Sequence, residues 1–146
     1  MMVNMYLERC FLAHILLTYV TVVFYCCVFG EAVAGGRSSV PTNSAAVQQA
    51  ALFAVVEYNK VYSKQMTAFK ISSIISAESQ VVAGFKYFLK VKLGLTRCSK
   101  NTTGAALQSC PLKAHGMVLL CNFVVIEIPW ESVELLVVNG CTKLSG

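Results

Sequence analysis

The chain has 146 residues, the length of a single domain, and a formal net charge of +5 at pH 7. Its hydrophobic fraction of 56% is high for a soluble protein, but the excess sits in one N-terminal run with no second run of spanning length behind it, which excludes a multi-span membrane protein. The cations are dispersed, with Lys86, Lys90 and Lys92 on one segment and Lys60, Lys64 and Lys70 on another; they read as a solvated strand face rather than a nucleic-acid patch, since no aromatic platform is interleaved with them in the manner an RNA-binding sheet needs.

From the N-terminus, Arg9 precedes "FLAHILLTYVTVVFYCCVFG" (Phe11 to Gly30), and Ala32, Val33 and Ala34 follow it. A basic start, an apolar run and a small-x-small exit predict a secretory signal peptide over residues 1–34 and a single domain over 35–146. Val28 and Gly30 also satisfy the small-residue rule, so cleavage after Gly30 stays open beside cleavage after Ala34. A membrane anchor is the rival, because about 20 apolar residues could span a bilayer. From Gly35 onward there are eleven basic and five acidic side chains.

Of the seven cysteines, Cys10, Cys26 and Cys27 fall in the signal, leaving Cys98, Cys110, Cys121 and Cys141. Four cysteines behind a secretion signal imply two disulfides, in any of three pairings. The expected pairing is nearest-neighbour, Cys98–Cys110 and Cys121–Cys141, which closes two short loops. A zinc site is the alternative, but the close C-x2-C pairs of zinc modules are missing.

Gly35 to Ser44, "GGRSSVPTNS", reads as a flexible lead-in. In "AAVQQAALFAVVEYNKVYS", Val47, Ala51, Ala54 or Val55, Tyr58, and Val61 or Tyr62 recur at three- and four-residue steps, which predicts one amphipathic helix capped by Asn43 or Ser44. The period then changes to two. "AFKISSIIS" (Ala68 to Ser76) is a weak strand. In "GFKYFLKVKLGL", Phe85, Tyr87, Leu89, Val91, Leu93 and Leu95 share one face against Lys86, Lys90 and Lys92 on the other. "MVLLCNFVVIEI" (Met117 to Ile128) and "SVELLVVNGC" (Ser132 to Cys141) are two more strands, with a turn at Pro129–Glu131 because proline cannot donate to a ladder. Thr96 to Cys110 is the long connection and holds the sequon Asn101-Thr102-Thr103, an N-glycosylation candidate. One helix, four antiparallel strands and a short fifth near the N-terminus predict an α+β fold, in which the helix covers the apolar side of the sheet.

Gly35-Gly36 ahead of the helix, "EYNK" late in it, "QVVAG" at Gln80–Gly84, Pro129-Trp130 in the second hairpin and four cysteines closing successive loops occur in this order. Together they resemble the type 2 cystatins, secreted inhibitors of papain-like cysteine proteases, from Gly35 to the C-terminus. The resemblance implies the cystatin fold, an antiparallel sheet of four to five strands wrapped around one long N-terminal α-helix. It implies a wedge that enters a protease cleft, made of Gly35 and Gly36, the first hairpin (Gln80, Val81, Val82, Ala83 and Gly84) and Pro129 with Trp130. Gly35 is the better match to the family's trunk glycine, since counting back from "EYN" needs no gap. The implied partners are cathepsins of the L, S, B and H type, with no cofactor, no metal, no nucleic acid and, after signal cleavage, no membrane. The implied state is a monomer, with a domain-swapped dimer reached by opening a hairpin that contains a strained valine.

Two departures from the family pattern carry expectations. Cleavage after Ala34 leaves almost no trunk before Gly35. "YSKQM" (Tyr62 to Met66) lacks the asparagine through which some type 2 cystatins inhibit legumain, so that activity is expected to be weak or absent.

The residues support the wedge on their own terms. A tip that exposes two valines and an indole marks an interface, and a glycine there removes a Cβ from the approach. Singly, each piece has a plainer reading: strand core for the valines, packing for Trp130, linker for the glycines. No enzyme is expected, because a Cys–His nucleophile needs a free thiol and the domain's one histidine, His115, reads as a loop residue. A non-inhibitory cystatin-fold binding module is the alternative function.

Overall fold

The computed structural model describes residues 14, 15, 17–20 and 35–145. The chain divides into two units, Met1–Ala34 and Gly35–Gly146. In the first, residues 14, 15 and 17–20 are helical and exposed, and the Thr18 hydroxyl donates to the carbonyls of His14 (3.0 Å) and Ile15 (2.9 Å). The rest of the signal-peptide reading, with both cleavage points and Cys10, Cys26 and Cys27, lies outside the described residues. Among the described residues no helix is long and apolar enough to cross a membrane.

The second unit is a five-stranded antiparallel sheet in the order β1-β2-β3-β4-β5. Its strands are β1 (Arg37–Ser39), β2 (Thr67–Val82), β3 (Gly84–Ser99), β4 (Val118–Ile128) and β5 (Val133–Ser145), with helices α1 (Ala45–Glu57) and α2 (Gly104–Ser109) between them. The lead-in expected to be flexible is partly a strand: Arg37, Ser38 and Ser39 pair with Gln80, Ser79 and Glu78.

Helix α1 starts where the sequence places it. Ser44 is the N-cap, its hydroxyl accepting from the Val47 amide at 3.4 Å. Neither end carries a charge that complements the helix dipole, so packing holds the helix in place. Its buried stripe is Val47, Ala50, Ala51, Ala54 and Val55. The alanines let the helix axis lie close to Leu89, Val91, Leu93, Phe123 and Val125, which line the covered side of the sheet.

The α-helical period fails at Tyr58. Residues Tyr58–Tyr62 form a π turn, closed by the Ser63 amide donating to the Tyr58 carbonyl at 2.8 Å. The extra residue rotates Val61 and Tyr62 out of the stripe, so both are exposed, contrary to the expected pattern. The same rotation turns Asn59 inward to 1% exposure. Its amide donates to the Phe69 carbonyl and its oxygen accepts from the Phe69 amide, both at 2.8 Å. One side chain thus pairs with the backbone of β2 as a neighbouring strand would.

The alternation in β3 is as read from the sequence for Tyr87, Leu89, Val91, Leu93 and Leu95, all buried. Phe85 departs from it at 40% exposure, because it lies at the hairpin end, where it stacks on Tyr87 (centroids 6.3 Å apart). Thr96–Ser99 continue β3 rather than opening a loop. Asn101 follows in an exposed turn, and His115 sits in a turn with φ 55°.

Both expected disulfides are present. Cys98–Cys110 ties β3 to the end of α2 (Cα–Cα 6.1 Å), and Cys121–Cys141 joins directly paired residues of β4 and β5 (Cα–Cα 4.0 Å). In this structure the four sulfurs weighed as zinc ligands are all engaged in disulfides. Sequence separations of 12 and 20 correspond to about 3 kcal/mol each of lost unfolded-chain entropy. Just before Cys141 the β4–β5 register slips, with Phe123 pairing Val138, and Gly140 at φ 124° takes up the bulge.

Replacing Asn59 by Leu strands two buried backbone groups of Phe69 and is expected to cost about 3 kcal/mol. Urea unfolding followed by circular dichroism checks this; a loss below about 1 kcal/mol would mean that water or a relaxed backbone replaces the amide.

Candidate functional site

The antiparallel order brings three chain segments to one end of the sheet. β2 ends and β3 begins there, β4 ends and β5 begins there, and β1 enters from the same side, with Arg37 opposite Gln80. Gly35, Gly36, Gln80–Gly84 and Pro129-Trp130 therefore share this end.

The first hairpin is tighter than a five-residue loop. Gln80, Val81 and Val82 belong to β2, paired with Lys86, Phe85 and Gly84, so Ala83 alone forms the tip. Val81 is 65% and Val82 44% exposed, although both are strand residues. The positive φ at this turn belongs to Gly84 (φ 114°). The non-glycine residues with positive φ among those described are His115 and Ser132, so the expected strained valine is not seen in φ.

Gly84 is buried, unlike the rest of the tip. A Cβ added there would collide with the Glu127 carbonyl oxygen and come within 3.3 Å of the Ile128 Cα. Glu127 and Ile128 are the last residues of β4, immediately before Pro129. Gly84 is thus the point at which the first hairpin lies against the base of the second. The second hairpin turns through one 3-10 turn, Pro129–Glu131, closed by the Ser132 amide on the Pro129 carbonyl (3.3 Å) with Ser132 left-handed at φ 53°. Trp130 projects from it at 68% exposure.

The N-terminal segment is joined to the first hairpin by a hydrogen bond from the Gln80 side-chain amide to the Gly35 carbonyl. Gln80 therefore positions the tail as well as bordering the tip. Gly35 has φ 98°, a conformation that suits glycine. Gly36 is exposed, with no such constraint.

Sequence reasoning missed Phe85, which adds an apolar ring beside the valines. Its signal was present: it is the first residue of the alternation after Gly84, too close to the turn for the helix to cover. Also missed was the acidity of the second hairpin, which carries Glu127, Glu131 and Glu134. Glu127 and Glu134 are directly paired across β4 and β5. Desolvation and then the charge of Glu127 raise the Glu134 carboxyl above its ordinary range; burial and then Glu127 also raise Tyr87. No thiol is available as a nucleophile, because the domain's cysteines are all disulfide-bonded. What this end offers is a fixed array of apolar tips and backbone.

Two outcomes follow. Gly84→Ala should lose about 2–4 kcal/mol in thermal or urea unfolding, combining left-handed strain with the collision at Glu127; a neutral result would mean that the hairpins are not held together at Gly84. For Glu134, the folded protein holds the proton more tightly than the unfolded chain, so ionisation at neutral pH opposes folding. Glu134→Gln should therefore raise Tm slightly at about pH 7 and lose that advantage as the pH falls below the ordinary carboxylate range, where the Glu134 carboxyl is protonated in both the folded and the unfolded chain. An advantage that persists in acid would point away from charge repulsion.

The Cystatin domain family model matches residues 35–130. A cystatin of Coturnix japonica is 36% identical over 110 residues, 73% of this chain and 92% of that protein. Cystatin-C of Bos taurus is 37% identical over 110 residues, 73% and 72% of the two chains. A cystatin of Oxyuranus scutellatus scutellatus is 44% identical over 109 residues, 69% and 76%. Among solved structures, Al-CPI superposes with a TM-score of 0.64 at 31% identity, covering 75% of this chain and 99% of that one. Dimeric human cystatin F gives 0.64 at 29% identity, covering 80% and 91%. With its sheet order, its two disulfides and a family match over most of its length, the chain belongs to the cystatin family, whose members are protease inhibitors rather than enzymes and generally act on cysteine proteases.

Proposed function

We propose that this protein is a secreted, reversible, non-covalent inhibitor of papain-like cysteine proteases of the cathepsin L, S, B and H type. Its plug consists of Gly35 and Gly36, the first hairpin from Gln80 to Gly84, and Pro129 with Trp130. The observation that carries this reading is the exposure of Val81, Val82 and Trp130 on two hairpins that abut at Gly84. Exposed apolar side chains in a contiguous group are costly in water and find their burial in a partner. Mounted on paired strands, they lose little further freedom on binding, so more of the contact energy appears as affinity. Inhibition is steric: the tips fill the cleft and offer no peptide bond to the thiolate. Residues 1–34 are removed on secretion, Asn101 is available for glycosylation in its exposed turn, and the active form is the monomer. The dimeric state named for human cystatin F motivates the further reading that a swapped dimer of this chain forms with its first hairpin opened and is inactive. Legumain lies outside the proposed targets, since Tyr62–Met66 has no asparagine.

Titration of active-site-calibrated papain should give stoichiometric inhibition. Trp130→Ala should weaken it by about 10- to 100-fold, the range of an interface hot spot, with Tm unchanged because the ring is exposed. Absence of inhibition at micromolar protein would replace this reading with a non-inhibitory binding module.

A further inference from the structure

The sheet face that alternates away from the buried row carries a line of cations. Lys86, Phe88, Lys90 and Lys92 alternate with the buried Tyr87, Leu89 and Val91 along β3. The pairing of β1 brings Arg37 to the same face, its guanidinium 3.5 Å from the centre of the Phe88 ring, with the Lys86 ammonium 5.4 Å from that centre. At about 3.3 Å per residue, Lys90 lies about 13 Å from Lys86 and Lys92 a further 7 Å along. The register places Ser76 and Asn122 on either side of Lys90, and Ser73 and Leu120 on either side of Lys92. A cleft of about 250 Å3 opens on this face beside Arg37, Phe88, Lys90 and Asn122, with Glu78 as its one acidic member. Among the described residues the one ion pair is Lys60–Glu57, so none of these four cations is neutralised by a carboxylate partner.

We propose that this face is a docking track for a linear polyanion, specifically a sulfated polysaccharide. Four unpaired cations against one carboxylate give the charge complementarity, and their arrangement along one extended strand suits a chain of repeated anions rather than a single phosphate or carboxylate. The flanking serine hydroxyls and asparagine amide donate and accept hydrogen bonds, which matches sulfate and hydroxyl groups. A single-stranded nucleic acid would need an open ring face for base stacking, and the Phe88 ring is covered by Arg37. A lipid surface would need projecting apolar side chains around the lysines; Leu120 beside Lys92 and Ile126 beside Lys86 are apolar but only half-exposed, and the strand neighbours of Lys90 are polar. The track lies on the broad face of the sheet and its function does not depend on protease inhibition.

The test is retention of the protein, purified from expressing cells, on immobilised heparin across a salt gradient. The protein should bind at about 0.1 M NaCl, with affinity falling log-linearly as salt rises, as counterion release requires. Lys90→Gln with Lys92→Gln should weaken binding by at least about tenfold and flatten the log–log salt slope by about 1.5. The charge-matched control, Lys64→Gln with Lys143→Gln at exposed positions off the track, should change affinity less than about twofold. Equal losses from both pairs would mean that net charge alone is read, and would overturn the site. So would flow-through of the unmodified protein, or binding to anionic phospholipid vesicles without binding to heparin. A footprint on the unmodified protein is independent of variant folding: heparin should shield Lys90 and Lys92, more than Lys64, from amine acetylation, and uniform shielding would overturn the proposal.

Discussion

The functional end of this molecule depends on one close approach, that of Gly84 to the end of β4. Two hairpins in an antiparallel sheet can stagger by several residues, and their tips then stand apart. Here Phe85 pairs with Glu127, which sets the tip of the first hairpin level with the base of the second. The approach leaves no room for a side chain at Gly84, and its positive φ suits only a residue without a Cβ. The same residue therefore turns the first hairpin and seats it against the second. The tail is fixed to this pair by the Gln80 bond to Gly35, so three separate stretches of sequence act as one surface.

That surface is only as fixed as the sheet behind it, and the sheet is held in two different ways. On the covered side the contact with α1 is apolar and small-grained, with alanines on the helix and branched residues on the strands. Such packing fixes distance better than register. Register comes from directional groups: Asn59 on Phe69, and the Thr96 hydroxyl donating to the Ala68 carbonyl at 2.7 Å. The disulfides act at the opposite end from the tips, where Cys98–Cys110 closes the α2 segment and Cys121–Cys141 clamps β4 to β5. Covalent restraint at one end leaves the other shaped by hydrogen bonds and close packing alone.

Much of the fold was legible because it follows periodicity. The helix start at Ser44, the buried row of β3, the turn at Pro129–Glu131 and the disulfide pairing all followed from local pattern or from family resemblance. Element ends were less legible, for a physical reason. A strand's last residues lie beyond the helix that covers it, so alternation there no longer reports burial. Hence Gln80–Val82 read as loop while forming strand, and Phe85 read as core while standing exposed. The π turn was invisible because an inserted residue leaves composition unchanged, and only the pair of hydrogen bonds between Asn59 and the Phe69 backbone shows why it is favoured. Within the candidate site the residue types were legible, but not the role of Gln80 as a latch or that of Glu127 as a wall. Both act through contacts with residues 45 and 43 positions away in sequence.

The bulge at Gly140 has a consequence for life in concentrated solution. β5 is a thirteen-residue border strand with Leu135, Val137 and Leu144 turned to water, which is the kind of template on which a second molecule could zip itself into a fibril. A border with a kink in it cannot be copied along its whole length, because the incoming strand loses step where Phe123 meets Val138 rather than the next residue in line. The irregularity beside the disulfide thus divides one long adhesive margin into two short ones, each a poor seed for runaway stacking.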